Sequence, residues 1–588
     1  MKASLSGAIP TIFHAADATP ETQMLEFDHV TQRFRRGVTA INDLSTGLIA
    51  TLTRPAVRTA APTGRNHRHH GARTRLALLA ALGVIASAAP GAAAAQAKRP
   101  NILFIAVDDL RPTIGAYGDT VIKTPNIDRL ARSGVVFLDA QVQQAVCNPS
   151  RASLMTGLRP DSLRVWDLET DFRVTTPGAV TLPQHFRQYG YRAVSVGKIY
   201  HNLLPDSLSW SEPEYKVPGF PYDPDAVYRS PENIAIQEAR KAAIIKAGRQ
   251  ARSIDRFGLW YLKANATESV DLPDSVYYDG AQTDYAVRRL GELKDAGQPF
   301  FFAVGYYRPH LPFNAPQTYW DLYDAATLPL AGNQFMPDGA PLMAVNTNKE
   351  LRGYADFRNA PEPNEGPLDE AGVRRLTHGY YASISYVDAQ VGRLLDRLDS
   401  LGLTDNTIVV LWGDHGYKLG EHNGWAKFTD YDIDTHAPLI IRAPGRIPPG
   451  LRLPQMVEFV DVYPTLAELA GLPVPTQLQG TSAVPLFRQP GRAWKGATFS
   501  QFLRSGIWVA PDSVPYMGYS MRTPDYHYVA WMNWNTHQYV AWELYDRRKD
   551  PDENVNLAGR PEHAALLARL EAERLAGWRA VVPERNRR

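Results

Sequence analysis

The chain reads as an α/β protein built on a mostly parallel sheet, and two observations predict this class. From residue 98 onward, apolar runs of strand length alternate with amphipathic stretches of helical length, the pattern of a parallel sheet with crossover helices. The first run, Asn101–Val107 (NILFIAV), is apolar without alternation, as expected of a strand buried on both faces. Further strands are expected at 191–196, 300–306 and 407–412, and long helices at 378–401 and 462–472. Thr124-Pro125-Asn126 opens another helix, with Thr124 as N-cap, Pro125 at the first helical position and Gly134 as terminator. Past about residue 490 the pattern shifts to aromatic and β-branched runs at 526–531 and 538–545, followed by a helical stretch at 561–581.

The 588 residues allow two to four domain-sized units, or one large core with an appendage. A formal net charge of +2 leaves no basic field of the kind nucleic acid requires. Residues 1–75 hold no sustained period and include Asn66-His67-Arg68-His69-His70. They are expected to be disordered or absent from the mature protein. Arg73-Thr74-Arg75, the apolar run 76–89 and the small residues ending Ala95-Gln96-Ala97 have the layout of a secretory signal with a cleavage site. That run is too short for a comfortable membrane span. Residues 1–97 are thus expected to be an extension with a signal-like segment at 73–97, the start codon being set too far upstream; the alternative is a membrane-anchoring or merely Ala-rich linker segment. The mature chain would be exported, periplasmic or secreted, with no stable membrane span.

The chemistry lies at the carboxyl end of each strand. The four strands run into Asp108-Asp109, Gly197-Lys198-Ile199-Tyr200-His201, Arg308-Pro309-His310 and Gly413-Asp414-His415-Gly416. In open α/β sheets the ligand site lies beyond the carboxyl ends of the strands, so these clusters should converge on one cleft. Asp108, Asp109 and Asp414 brought together would repel and push one another's pKa upward; a hard divalent cation resolves the conflict. Oxygen-rich ligation favours Ca²⁺ or Mg²⁺ over zinc, although His415 leaves the choice open. The only cysteine, Cys147, has no partner for an intramolecular disulfide, so it is either a buried free thiol or a reactive atom. It precedes Pro149-Ser150, which reads as a helix opening and so places it near the positive end of a helix dipole. Arg151, Lys198 and Lys427 add positive charge, the arginine as a fork suited to a tetrahedral oxyanion.

Cys147-Asn148-Pro149-Ser150-Arg151, followed by Thr156-Gly157, resembles the signature of the formylglycine-dependent sulfatases. Gly197-Lys198 with His201, Pro309-His310, Gly413-Asp414-His415-Gly416 and Trp425-Ala426-Lys427 occur in the order expected of that family. Asp108-Asp109-Leu110-Arg111-Pro112, Arg164-Val165-Trp166-Asp167, Gly197-Lys198-Ile199-Tyr200-His201 and Thr435-His436-Ala437-Pro438-Leu439 look like its iduronate-2-sulfatase branch. Arylsulfatase-like members usually carry arginine where His436 stands.

The resemblance implies an alkaline-phosphatase-like catalytic domain at 98–489, its mixed, mostly parallel sheet sandwiched by helices. It implies a smaller α+β subdomain at 490–588 with a short antiparallel sheet. It further implies that a formylglycine-generating enzyme oxidises Cys147, and that the aldehyde hydrate attacks a sulfate ester of a sugar or polysaccharide. Asp108, Asp109, Cys147, Asp414 and His415 would ligate one Ca²⁺. Arg151 would orient the hydrate, His201 assist proton transfer, and Lys198, His310 and Lys427 hold sulfate, His310 being the acid for the leaving alcohol. Asp167, His201 and His436 would favour an anionic sugar. Trp531, Trp534 and Trp542 either stack on sugar rings or simply pack the C-terminal sheet. The rival readings are an arylsulfatase, a phosphonate or phosphate monoester hydrolase, and a catalytically silent sugar-binding protein. The stretch 203–275 offers no motif that converts into specificity.

Overall fold

Side-chain alternation along β1 (Asn101–Val107) sets the layers of the protein. In the computed structural model, which describes residues 99–202, 204–220, 227–246, 263–505, 514–582 and 584, Leu103, Ile105 and Val107 enter one hydrophobic core while Ile102, Phe104 and Ala106 enter a second. All six are fully buried, so the unbroken apolar run is explained by cover on both faces. The first core is closed by α1 (Pro125–Arg132), α3 (Tyr278–Asp295) and α4 (Glu370–Ser400). The second is closed by α2 (Cys147–Thr156) and α5 (Val462–Leu469). The N-terminal extension and its signal-like segment lie outside the described residues.

The other strands of the central sheet are β2 (Val135–Phe137), β3 (Arg192–Gly197), β4 (Phe300–Tyr306), β5 (Thr407–Gly413), β6 (Leu439–Arg442) and β7 (Leu451–Leu453). Their order is β7-β2-β6-β5-β1-β4-β3. The run from β3 through β4 and β1 to β5 is parallel, whereas β6 is antiparallel to both β5 and β2. Register matters most for the site. Val107 stands opposite Tyr306 on one side and Gly413 on the other, and Gly197 stands opposite Gly305. Asp108, Lys198 and Asp414 therefore leave the sheet at nearly one level.

Several element ends differ from expectation for identifiable reasons. α1 begins at Pro125, but the Thr124 side chain makes no capping bond; Asp388 of α4 instead accepts the Asn126 and Ile127 amides at 3.1 and 2.8 Å. Gly134 is required by crowding rather than by a cap, since a Cβ there would lie 2.4 Å from the Ile441 carbonyl oxygen. α4 starts at Glu370, well before residue 378, because Asp369 caps the Gly372 amide at 2.7 Å; Gly372 and Gly379 disguise the helix in sequence. The C-terminal stretch is a turn, Pro561–His563, leading into α6 (Ala564–Ala576).

A separate sheet of four antiparallel strands follows: β8 (Thr498–Arg504), β9 (Tyr516–Arg522), β10 (Tyr526–Asn533) and β11 (Tyr539–Asp546). Trp531 is fully buried in it and donates to Glu543 at 2.7 Å, so it packs the sheet. Among the described residues no helix is long and apolar enough to cross a membrane. Glu458 fastens β8 to the catalytic body by accepting from Arg159 at 2.8 Å, Lys495 at 2.6 Å and the Phe499 amide at 3.0 Å. Burial opposes its charge, but Arg159 and Lys495 hold the carboxyl down at about 2. That value lies below the ordinary 4.5, so the stabilisation is complete above pH 4.5 and drains as pH falls toward 2. Glu458→Gln should cost about 3 kcal/mol at neutral pH, measured by denaturant unfolding. The gap to the parent protein should narrow as the pH is lowered, and a constant gap would contradict the ion-pair assignment.

Candidate active site

Arg151, four residues into α2, is fully buried and reaches three strand ends. Its Nη2 donates to Asp108 Oδ1 and its Nε to Asp414 Oδ2, both at 2.8 Å, while Nη1 donates to the Lys198 and Ile199 carbonyls at 2.5 and 3.2 Å. The guanidinium lies over the Trp412 ring at 5.5 Å. Its fork is thus spent on carboxylates and backbone, not aimed at an open anion pocket. Lys198 Nζ donates to the other Asp108 oxygen at 2.6 Å. Burial alone would raise Asp108, but Lys198 and Arg151 hold it well below the usual carboxylate range. Gly197 makes the turn into Lys198 possible: its φ is +79°, and a Cβ would meet the Gly305 carbonyl oxygen at 2.1 Å.

Asp109 takes a left-handed backbone, φ 59°, uncommon for a residue with a side chain. Two bonds fix it, its amide to Asp414 Oδ1 at 2.9 Å and its carbonyl from Tyr380 Oη at 2.7 Å. Lys427 Nζ donates to both Asp109 oxygens at 3.0 and 2.9 Å and to Glu350 at 3.2 Å. His310 Nε2 stands 3.2 Å from Glu350 Oε1, and its Nδ1 donates to the Leu311 carbonyl at 2.6 Å. Burial pushes Asp109 well above the usual range despite Lys427, with Asp108, Glu350 and Asp414 adding to the effect. Negative charge is in excess there.

Cys147 is the first residue of α2 and is buried, with Sγ 3.4 Å from His415 Nε2. His415 Nδ1 donates to the Gly416 carbonyl at 2.9 Å, so a neutral ring turns its Nε2 lone pair toward Asp109 Oδ1 at 3.4 Å and Asp414 Oδ1 at 3.6 Å. Burial, reinforced by Lys427, keeps that ring neutral. A lone pair facing two carboxylates calls for a cation between them. Donor atoms of Asp109, Cys147 and His415, and of Asp108, Cys147 and Asp414, lie within 4.8 Å of one another. This donor set, rich in oxygen with one imidazole, fits a hard divalent ion.

His201 lies partly exposed near Lys198, and burial, then Lys198, pushes its pKa down to about 3. It is neutral, and the same influences disfavour its protonation. Two further residues expected to favour an anionic sugar have the following partners. Asp167 is exposed and caps a turn through the Glu169 and Thr170 amides at 2.9 and 2.7 Å. His436 is half-buried beside Asp432 and Asp139, edge-on to Tyr117. Trp534 packs edge-on against Trp166, while Trp542 is 39% exposed. Sequence reasoning missed Glu350, which sits in the single turn Lys349–Arg352 and belongs to no motif. It also missed Asn148, whose amide holds the Asp167 and Thr170 carbonyls at 2.9 Å and so ties that turn to the Cys147 segment.

A parallel sheet that delivers three buried carboxylates, a histidine and a lone cysteine to one point is the architecture of a hydrolase of oxyanion esters. The chain belongs to the sulfatase family, whose sequence model matches residues 100–472. Residues 420–580 match the model for the C-terminal region of N-sulphoglucosamine sulphohydrolase. Iduronate 2-sulfatase of Homo sapiens is 34% identical over 526 residues, 78% of this chain and 90% of that protein, which sets the chain in the iduronate-2-sulfatase-like branch. A sulfatase of Formosa agariphila is 30% identical, covering 81% of this chain and 86% of that one. Among solved structures, a phosphonate monoester hydrolase from Silicibacter pomeroyi superposes with a TM-score of 0.61 at 25% identity, over 81% of this chain and 94% of that one. A protein solved with its substrate D-glucosamine-2-N,6-O-disulfate has the same TM-score at 23% identity, over 82% and 99%. The fold is alkaline-phosphatase-like, and the protein is a sulfuric ester hydrolase.

Proposed function

We propose that this sulfatase removes sulfate from an anionic sulfated sugar, with 2-O-sulfated uronic acid units as the class, using formylglycine made from Cys147 and one bound Ca²⁺. The observation that carries the reading is the packing of Cys147 against His415, Asp109, Asp108 and Asp414 at the aligned strand ends. The sugar class rests on the similarity to iduronate 2-sulfatase over nine-tenths of that protein. Asp108, Asp109, Asp414, His415 and the group derived from Cys147 would hold the ion. Bound there, it would supply Lewis-acid polarisation and a fixed template for sulfate. The formylglycine hydrate would supply the nucleophilic oxygen.

This chain's own residues do the remaining work. Arg151 fixes the Asp108 and Asp414 carboxylates and, through the Lys198 carbonyl, the base of the lysine beside them. Lys198 and Lys427 are buried cations whose charge is worth more in a site closed to water. His201 would assist proton transfer from the hydrate once the bound ion and substrate change the charge around it. His310 would be the acid for the leaving alcohol when it carries a proton on Nε2. A formylglycine-generating enzyme is needed for maturation, and export fits the signal-like segment ahead of a catalytic body at 98–489 and a C-terminal subdomain at 490–588.

Peptide mass spectrometry of active protein should find Cys147 as the aldehyde or its hydrate, and Cys147→Ala should abolish turnover. Full activity with an unmodified thiol would refute the mechanism. Dialysis against EDTA should abolish activity and lower Tm, both restored by Ca²⁺, because an ion bound only by the folded state stabilises it by mass action. The decisive test is a comparison of kcat/KM on a 2-O-sulfated uronide disaccharide, 4-nitrophenyl sulfate and 4-nitrophenyl phosphate. The uronide should be preferred, with a KM that rises with salt through screening and a nearly constant kcat. Equal rates and salt responses for the two sulfates would point to an arylsulfatase, and preference for the phosphate to a phosphomonoesterase.

A further inference from the structure

We infer that Lys418 is a positioning residue for the reaction, a clamp that holds Lys427 on a backbone it would otherwise leave. The inference rests on the sulfatase reading above, which sets Lys427 against sulfate, and adds a residue to it. Ala426 and Phe428, the two neighbours of Lys427, take φ of +88° and +84°. Both lie on the left-handed side, where a residue with a Cβ settles only when its surroundings over-determine it. Lys427 is therefore carried on an excursion of backbone that keeps its place only if both ends are held.

Lys418 reaches both ends. On the near side its backbone pairs with Ala426, and Leu419 pairs with Trp425, in a two-residue antiparallel ladder. On the far side its Nζ donates to Thr429 Oγ1 at 2.7 Å and to Asp434 Oδ2. Thr429 donates to that same Asp434 oxygen, so the three side chains close a triangle just beyond Phe428. All three are buried, where an ion pair is little screened by water. The stem of Lys418 crosses Gly424, and a Cβ there would lie 2.6 Å from its Cδ; only glycine leaves the lysine room. Other bonds grip one end each. Asn348 accepts the Trp425 amide at 3.0 Å and Asn346 donates to the Trp425 carbonyl at 3.2 Å, while the Phe428 amide donates to the Ala145 carbonyl at 3.3 Å. The Lys418 ammonium is spent on Thr429 and Asp434 rather than on the carboxylates at the strand ends, so its effect on the reaction passes through Lys427.

Cutting the clamp without removing its charges tests the assignment. Thr429→Val keeps the side chain's shape and leaves the Lys418–Asp434 pair intact, but severs the link to the loop. On the sulfate ester that the parent protein turns over best, its kcat should fall by about 100-fold, the scale of a displacement of about 1 Å in a reacting group. Thr429→Ser, which restores the hydroxyl, should recover most of that loss. Lys418→Met alone would strand a buried carboxylate, so it is paired with Asp434→Leu, and this double variant should lose kcat to the same extent as Thr429→Val. Placed on Lys427→Ala, Thr429→Val should cost no more than about a further twofold, because a clamp with nothing to hold has no effect. Parent activity in Thr429→Val, or losses that multiply on the Lys427→Ala background, would overturn the positioning role, whether or not Tm also fell. A parent protein inactive on every sulfate would instead overturn the hydrolase reading underneath.

Discussion

A guanidinium removed from water is costly unless its donors find acceptors, and Arg151 meets that condition by gripping Asp108 after β1, Asp414 after β5 and the backbone after β3. The sheet supplies the acceptors only because its register brings those three ends to one level. Core packing and site geometry are consequently one problem. A slip of one residue in β1 would exchange the two core faces and would also pull Asp108 out of the arginine's reach.

The charges around that clasp explain why the site wants an ion. Four buried carboxylates, Asp108, Asp109, Glu350 and Asp414, face three buried cations, Arg151, Lys198 and Lys427. One negative charge is left over, and Asp109 carries the strain of it. A divalent ion would reverse the sign of the whole cluster, and a pocket that repels sulfate would become one that attracts it. Burial amplifies the change, since little water remains to screen it.

Much of this was legible in the residues. β1 and β4 fall where their apolar runs lie, and the polar clusters after four strands converge as strand order requires. Long apolar runs and strand-end chemistry are local signals. The errors came from tertiary contacts that local sequence does not encode: Asp388 replaces Thr124 as the cap of α1, and Gly134 makes room for a neighbouring strand. Glu350 left no trace, because a lone glutamate in a four-residue helix acquires meaning only when the fold sets it between His310 and Lys427.

The C-terminal sheet closes over the segment that leads to the cysteine. Ser500 Oγ donates to the Val142 carbonyl at 2.5 Å, and the Gln501 amide donates to that of Gln143 at 2.9 Å. These bonds cannot exist until the ribosome has made β8, some 350 residues after Cys147. At roughly 5–20 residues per second that interval is on the order of tens of seconds. Throughout it the strand that pins residues 142 and 143 does not yet exist, so a modifying enzyme acting on Cys147 during synthesis would meet that segment before β8 can close over it.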